Sequence, residues 1–400
     1  MPFIHVDTTT PQPNGKLGWP AKTAFEALND NFDEAQERLD GLVSSDAALG
    51  SRITPLEAAI GFSIGRNIII NGNFDFWQRG ISFAASGYTA DRWMTQIGAI
   101  TSPSVVQGNY APGDVMAAGT GASNYLACSS TGNSDAAGHF FLHQHRVENV
   151  NTYNGQQTVV RLRVYNAGAA GRKIALEARQ EFGGGGSTQV NGIGAAVYAL
   201  VAGWNTITHP INLPSTIGKT VGANSWVGLV IWLSGGTNFN GQNGGLGAQS
   251  GSIYFSAVEW VLGTVLTRYE RRPLQQELAL CQRYYEKSFD VGITPGNNAA
   301  QGLIYPGVGW NVQTLDTFVK FAVAKRAAPA ITFYGSTEVP GAVGAWGVYD
   351  GSNWQYSGSA TTAHRSNSTG FSAAVTNVSA TIGNGVSRIL AGHWAADAEV

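Results

Sequence analysis

The chain has 400 residues, of which 12% are charged and 43% hydrophobic, with 52 glycines and a formal net charge of −2 at pH 7. The near-neutral balance excludes the basic footprint that a duplex nucleic acid demands, and no run of ~18 apolar residues offers a membrane span. Two cysteines, Cys128 and Cys281, are too few to staple a scaffold or build a zinc cluster, so no cofactor is expected.

Residues 1–19 contain Thr8-Thr9-Thr10-Pro11-Gln12-Pro13 and no basic segment followed by an apolar one. They are expected to form an extended arm that orders on a partner, in a chain made without a signal peptide. Residues 20–60 then hold eleven charged side chains. Phe25, Phe32, Leu39, Asp46, Ile53 and Ile60 recur every seven residues, and Leu28, Ala35, Leu42, Leu49 and Leu56 form the matching series. This narrow stripe predicts a coiled coil over 20–61 and self-association through its seam. A helix packed on its own domain is the alternative, and the seam residues do not choose between dimer and trimer. Gly41, Gly50 and a fresh capping signal at Thr54-Pro55-Leu56-Glu57 predict two or three helical pieces on one axis.

From Ile68 the period changes to two. Val160, Leu162 and Val164 alternate with Arg161 and Arg163; Ile174, Leu176 and Ala178 alternate with Lys173, Glu177 and Arg179. Both predict strands buried on one face. Val227 to Leu233 is continuously apolar and predicts a strand covered on both faces. Between 183 and 264 only Lys219 and Glu259 are charged, so polar character there comes from amides, hydroxyls and glycine-rich turns. The pattern predicts a mainly β protein, with an antiparallel β-sandwich of jelly-roll type over 62–272. A linking helix follows over 273–289, with Leu274, Leu278, Cys281 and Tyr285 on one face, and a smaller β-domain over 290–400.

Asn67-Ile68-Ile69-Ile70-Asn71-Gly72-Asn73-Phe74-Asp75-Phe76-Trp77-Gln78-Arg79-Gly80, with Tyr88-Thr89-Ala90-Asp91-Arg92-Trp93 after it, resembles the opening of a carbohydrate-binding-like domain in bacteriophage tail fibres. Thr267 to Pro273 and Glu277 to Glu286 look like the segment that closes that domain. Phe321 to Pro329 and Trp394 to Val400 look like the small terminal β-domain of these fibres, and Gly15 to Phe32 is similar to phage proteins that hang a fibre on the virion. The resemblance implies a non-enzymatic homotrimer in the virion tail, made in the host cytoplasm. It also implies a baseplate or tail-tip partner at the N-terminus and a bacterial surface receptor at the other end.

A neutral polar surface suits neutral sugars, which aromatic platforms and amide or hydroxyl groups bind. Trp346, Tyr349, Asp350, Asn353, Trp354 and Tyr356 crowd one turn-rich stretch and are the first receptor-binding candidates. Packing within the small domain or between protomers is the alternative for the same aromatics. Asn238, Phe239 and Asn240, with Gln242 and Asn243, are the second platform. His143 and His145 point to one face of a strand and would meet their symmetry copies on a threefold axis as a metal site, or else belong to ordinary sandwich strand. Trp77, Arg79, Asp91, Arg92 and Trp93 are expected to be structural, an Asp–Arg pair and two tryptophans closing a sheet corner. Glu270, Arg271 and Arg272 are expected to tie the closing strand to the helix, and Cys281 to be a buried small hydrophobe. Gly61-Phe62-Ser63-Ile64-Gly65 spells a nucleophile elbow, but a helix before it and a strand after it reverse the order that motif needs. A tailspike-like polysaccharide-degrading enzyme remains an alternative. It needs two carboxylates ~5–9.5 Å apart, and after residue 291 only Asp316, Glu338, Asp350, Asp397 and Glu399 are acidic. A purely structural baseplate component is the third reading.

Overall fold

One long helix, two facing six-stranded sheets and a nine-stranded sheet follow one another along the chain. The computed structural model describes residues 21–61, 67–111, 120–311, 313–339, 343–356, 359–376 and 386–400; the expected arm over 1–19 lies outside them. The chain divides into two compact units, Met1–Gly65 and Arg66–Val400.

The first unit contains α1 (Ala21–Gly61), one helix of 41 residues. Gly41, Gly50 and Pro55 do not divide it, contrary to the expected separate pieces. A glycine costs a helix about 1 kcal/mol and an interior proline about 3, and the Ala, Leu, Glu and Arg around these positions favour the helix. Of the expected seam, Leu28, Leu39, Leu42 and Leu49 are exposed and Phe32 is half-buried. The side chains of Phe25, Ile53 and Leu56 lie outside those described.

The main strands of the second unit are β1 (Trp93–Gly98), β2 (Ser104–Asn109), β3 (Asn124–Ser130), β4 (Phe140–Glu148), β5 (Gln157–Asn166), β6 (Lys173–Glu181), β7 (Val190–Ala199), β8 (Gly203–Asn212), β9 (Trp226–Gly235) and β10 (Gly251–Leu262). A first antiparallel sheet runs β2-β3-β10-β5-β8, and a second β7-β6-β9-β4-β1, each extended by a two-residue edge strand. Strands adjacent in space are seldom adjacent in sequence, as in a jelly-roll sandwich. Val160, Leu162 and Val164 of β5 meet Val227, Leu229 and Ile231 of β9 in one core, all but solvent-free.

The expected cover on both faces of β9 comes from residues 236–250. Phe239 and Leu246 pack there on Trp232, Val230 and Leu142. That cover also corrects the expectation for β6, where Glu177 and Arg179 were assigned to the wet face. Glu177 is fully buried; its carboxylate accepts from Arg179 at 2.6 and 2.8 Å and from the Trp232 indole at 2.9 Å.

Helix α2 spans only Leu274–Gln282, with Cys281 buried as expected. Tyr285 begins a strand rather than continuing the helix, because β11 (Tyr285–Lys287) is claimed by the last sheet. Then follow β12 (Leu303–Asn311), β13 (Thr314–Lys320), β14 (Ala330–Tyr334), β15 (Gly347–Tyr349), β16 (Trp354–Tyr356), β17 (Thr362–Asn367), β18 (Gly370–Thr376) and β19 (Ser387–Asp397). The order is β16-β15-β19-β12-β13-β18-β17, with β11 and β14 also on β19.

Residues that carry the family resemblance converge where sandwich and last sheet join. Asn71 receives the Glu277 carboxylate on its backbone N–H, and Gln78 donates to the Tyr285 carbonyl at 3.1 Å. Arg272 donates to the Ile69 carbonyl at 2.9 Å and pairs with Glu277 at 3.2 Å, the expected tie between closing strand and helix. The Arg79 guanidinium lies 3.8 Å over the Tyr285 ring and the Arg92 guanidinium 3.3 Å over Tyr284. The expected Asp–Arg pair is replaced. Asp91 accepts from Gln78, while Arg92 pairs with Glu399, and Arg79 with Asp397 at 3.0 Å and Glu399 at 3.3 Å. The C-terminal strand brings those carboxylates to the corner, a long-range meeting that local sequence does not announce.

Candidate functional site

The outer face of the first sheet carries a row of aromatic rings. In β5 the inward set Val160, Leu162 and Val164 leaves Arg161, Arg163 and Tyr165 outward by alternation. The register then puts Trp204 of β8 opposite Tyr165 and Tyr254 of β10 on its other side. Tyr165 and Tyr254 stack at 5.3 Å with 9° between planes, Trp204 meets Tyr165 edge-on at 5.3 Å, and Tyr254 stacks on Tyr125 of β3 at 5.1 Å. Tyr110, just beyond β2, closes the group, 5.0 Å from Tyr125 and 6.0 Å from Trp204. All five rings are half-buried, so each keeps solvent-facing area.

Two glycines shape this face. Gly108 lies opposite Tyr125 in the ladder, and a Cβ there would meet the Tyr125 ring at 2.1 Å. The missing side chain lets the ring lie across the strand. Gly251, at φ +88°, leaves room for the Arg172 guanidinium, which a Cβ would approach within 2.4 Å.

Polar groups flank the rings. The Arg163 guanidinium lies 5.2 Å over Trp204, Thr206 and Thr208 are exposed, and Arg161 pairs with Glu259. Past Tyr165 and before Tyr254 a cleft of about 390 Å³ opens, lined by Asn166 to Ala169, Arg172 and Ser250 to Ser252. Asn166 braces it by donating to the Ala169 carbonyl at 2.9 Å and accepting from the Gly168 N–H at 3.1 Å. Arg172 donates to the Ser252 carbonyl at 2.7 Å, and partial burial lowers its pKa. Apolar ring faces beside hydroxyl, amide and guanidinium groups match the two characters of a sugar, C–H faces and a hydroxyl edge.

Of the stretch nominated from sequence, one hairpin keeps Tyr349, Asp350, Asn353 and Trp354 together, while Trp346 leaves them for the core. Trp346 is fully buried, stacked 4.8 Å from Tyr305, with its indole N–H donating to the His393 carbonyl at 3.0 Å; it has no surface for a ligand. Asp350 accepts the backbone N–H groups of Ser352 at 2.8 Å and Asn353 at 2.9 Å, which hold its carboxyl below the usual range and build the turn between β15 and β16. Asn353 is exposed, and Tyr349 and Trp354 form a half-buried pair at 5.4 Å. The Tyr356 side chain lies outside those described.

In the second platform Asn238 and Asn240 are exposed, but Phe239 is engaged by Phe140 and Trp232, each at 5.5 Å. Gln242 accepts from Arg179 at 3.2 Å, and Asn243 is buried.

His143 and His145 face the sandwich interior rather than any axis. His143 bonds Thr95 at 3.0 Å and His145 accepts the Ile70 N–H at 3.0 Å. Burial holds the first near pKa 3, and burial with Arg92 nearby holds the second well below its usual value. Among the described residues no group of three His, Cys, Asp or Glu could hold a metal.

No protein-family model matches the sequence, and no curated protein matches it. Solved structures do match, each over about half of the chain. The enzymatically active domain of tailspike protein 4 of bacteriophage CBA120 is 13% identical, with 49% of this chain and 21% of that one covered and a TM-score of 0.29. A family 11 carbohydrate-binding module from Clostridium thermocellum, in complex with a mixed-linked tetrasaccharide, is 12% identical over 47% of this chain and 99% of its own, at a TM-score of 0.25. The CBM22-1–GH10 modules of xylanase 10B from the same organism, complexed with xylohexaose, are 13% identical over 47% and 29%, at 0.27.

Proposed function

We propose that this chain is a self-associating fibre protein of a bacteriophage tail that binds a glycan on the host surface through the aromatic outer face of its sandwich. The observation that carries the glycan reading is the continuous group Trp204, Tyr165, Tyr254, Tyr125 and Tyr110, with a polar cleft at its end. The tail-fibre reading rests on the resemblance of 67–93, 267–286 and 394–400. The stripe Leu28, Leu39, Leu42 and Leu49, exposed on a single chain, supports self-association through α1, and the resemblance makes that association threefold. The arm over 1–19 then meets a baseplate or tail-tip protein, and the protein resides in the virion tail.

We take the chain as a binding protein rather than an enzyme. The one carboxylate described on this face, Glu259, is held by Arg161. The test is titration of the purified full chain with surface polysaccharide from its host, followed by calorimetry and by product analysis. Binding without fragments is expected, with Tyr165→Ala and Trp204→Ala each weakening it at least about tenfold, or ~1.4 kcal/mol. Released fragments would establish the tailspike-like enzyme instead. Absence of binding by the unaltered chain would leave the purely structural baseplate component.

A further inference from the structure

The last sheet has an outward face that none of the described residues covers. In β12, Tyr305 turns inward onto Trp346, which leaves Ile304, Pro306, Val308 and Trp310 outward. In β13, Leu315 and Val319 enter the core and Phe318 points out. Ile389 of β19 stands opposite Pro306 and completes the patch. Phe318 is 63% exposed, Ile304 66% and Trp310 56%.

A whole aromatic side chain offers ~150–250 Å², so Trp310 and Phe318 together show on the order of 200 Å² to water. With the aliphatic neighbours the patch reaches roughly the 300–600 Å² found as the largest on a typical monomer, a size that marks an interaction site.

We infer that this face is where a second copy of the chain packs. The inference rests on the self-association proposed above and adds to it the surface used. Two observations select a copy over another partner. The heptad stripe of α1 is completed by like helices, and copies held that way stay at high effective concentration for any further contact. The patch is also charge-complementary to itself. Asp316 lies 4.0 Å from His364 on the same face as Phe318, while Lys320 and Arg365 border it, so both signs are present for a rotated copy to match. A standard interface takes about 800 Å² from each partner, which the patch and its polar rim together can supply.

The test uses four full-length proteins: the unaltered chain, a seam variant (Leu39→Glu with Leu42→Glu), a face variant (Trp310→Ser with Phe318→Ser), and the combination. Mass is read by light scattering at one fixed concentration. The unaltered chain and the seam variant are expected to be oligomers and the combination a monomer. A seam variant that is already monomeric overturns the inference while leaving the helix-mediated association standing, and a combination that keeps its mass overturns both the face and the seam as the seat of association. A monomeric unaltered chain instead refutes self-association itself, and this surface with it. Because both replaced side chains are more than half exposed on a single chain, the polar substitutes open no cavity. Hydroxyl-radical footprinting of the unaltered chain gives an independent readout. Protection of Trp310 and Phe318 is expected; labelling at the rate their single-chain exposure allows overturns the inference.

Discussion

A methyl group at Gly108 probes the aromatic face with the least collateral change. The backbone there is an ordinary ladder position opposite Tyr125, so alanine fits its dihedral angles. The added Cβ would lie 2.1 Å from Tyr125 Cε2 and 2.3 Å from Cζ, and the ring must swing out of the row. That movement forfeits the ring contacts to Tyr254 at 5.1 Å and Tyr110 at 5.0 Å. At ~0.5–1.5 kcal/mol each, the loss is about 1–3 kcal/mol. Alanine in a strand returns ~0.5–1 kcal/mol over glycine, so the net destabilisation is about 0–2.5 kcal/mol, small for a unit of this size. Glycan affinity should fall far more than stability, by about tenfold or beyond, because one ring of the platform is withdrawn. Calorimetric titration of the variant, paired with its thermal midpoint, separates the two effects. Gly132→Ala, whose Cβ would meet nothing within 4 Å, is the control and should change neither. A Gly108→Ala protein that binds the glycan as tightly as the unaltered chain would refute the placement of the site.

Other perturbations address the frame around it. Glu399→Gln removes the carboxylate that serves the buried Arg92 and the half-buried Arg79, and should cost about 3–5 kcal/mol in urea unfolding; a loss under ~1 kcal/mol would show that the Arg92–Glu399 pair does not hold this corner. Trp346→Ala should destabilise by about 3–5 kcal/mol through a core cavity, yet leave glycan affinity per folded molecule unchanged. The pH dependence has a definite sign. His143 near 3, His209 near 4 and His145 well below its usual value stay neutral in the folded chain, and all three take up protons from pH 6.5 downward once unfolded. Asp75, raised to about 6 by burial, opposes them, since the folded chain keeps its proton over a range where the unfolded chain has lost it. His393 is lowered as well and buried Asp91 raised, so lowered imidazoles outnumber raised carboxyls, and stability rises between pH 4 and 6 and levels off above 6.5. A urea midpoint that stays flat across that interval would contradict the burial of these imidazoles.

Local pattern was sufficient for much of the fold. The alternation in β5 and the unbroken apolar run of β9 fix which faces are dry, and the heptads of α1 mark helix there, though not its continuity through Gly41, Gly50 and Pro55. It failed where cover comes from elsewhere in the chain. Glu177 and Arg179 alternate like wet residues, yet residues 236–250 fold over them, and the indole of Trp232 completes the hydrogen bonding of the carboxylate. Tyr285 has the right spacing for a helix face, but backbone pairing with Asp397 outweighs one more helical turn. The density of aromatics at 346–356 pointed equally to a surface platform and to packing within the small domain. A tryptophan entering a strand beside a glycine-rich turn is equally suited to close a core, and Trp346 does so against Tyr305.

The aromatic face was half legible. The inward phase of Val160, Leu162 and Val164 already puts Tyr165 on the outside, and Gly203-Trp204 and Ile253-Tyr254-Phe255 place aromatics near strand starts. What the sequence does not contain is the register that lines up rings separated by more than a hundred residues. The segments that carry the family resemblance spend their side chains on the joint between the two β-parts: Arg79 and Arg92 on Tyr285 and Tyr284, Asn71 on Glu277, the last strand on both arginines. None of the five rings belongs to those segments. A sequence can therefore resemble a tail fibre in the residues that assemble it and still leave its ligand unspecified, because recognition is assigned to outward positions that the joint does not constrain. It follows that the outward rings can be exchanged with little effect on assembly. Trp204→Tyr should alter which glycan is preferred while leaving the thermal midpoint within a few degrees, whereas any loss at Arg92 should lower that midpoint before ligand choice is affected.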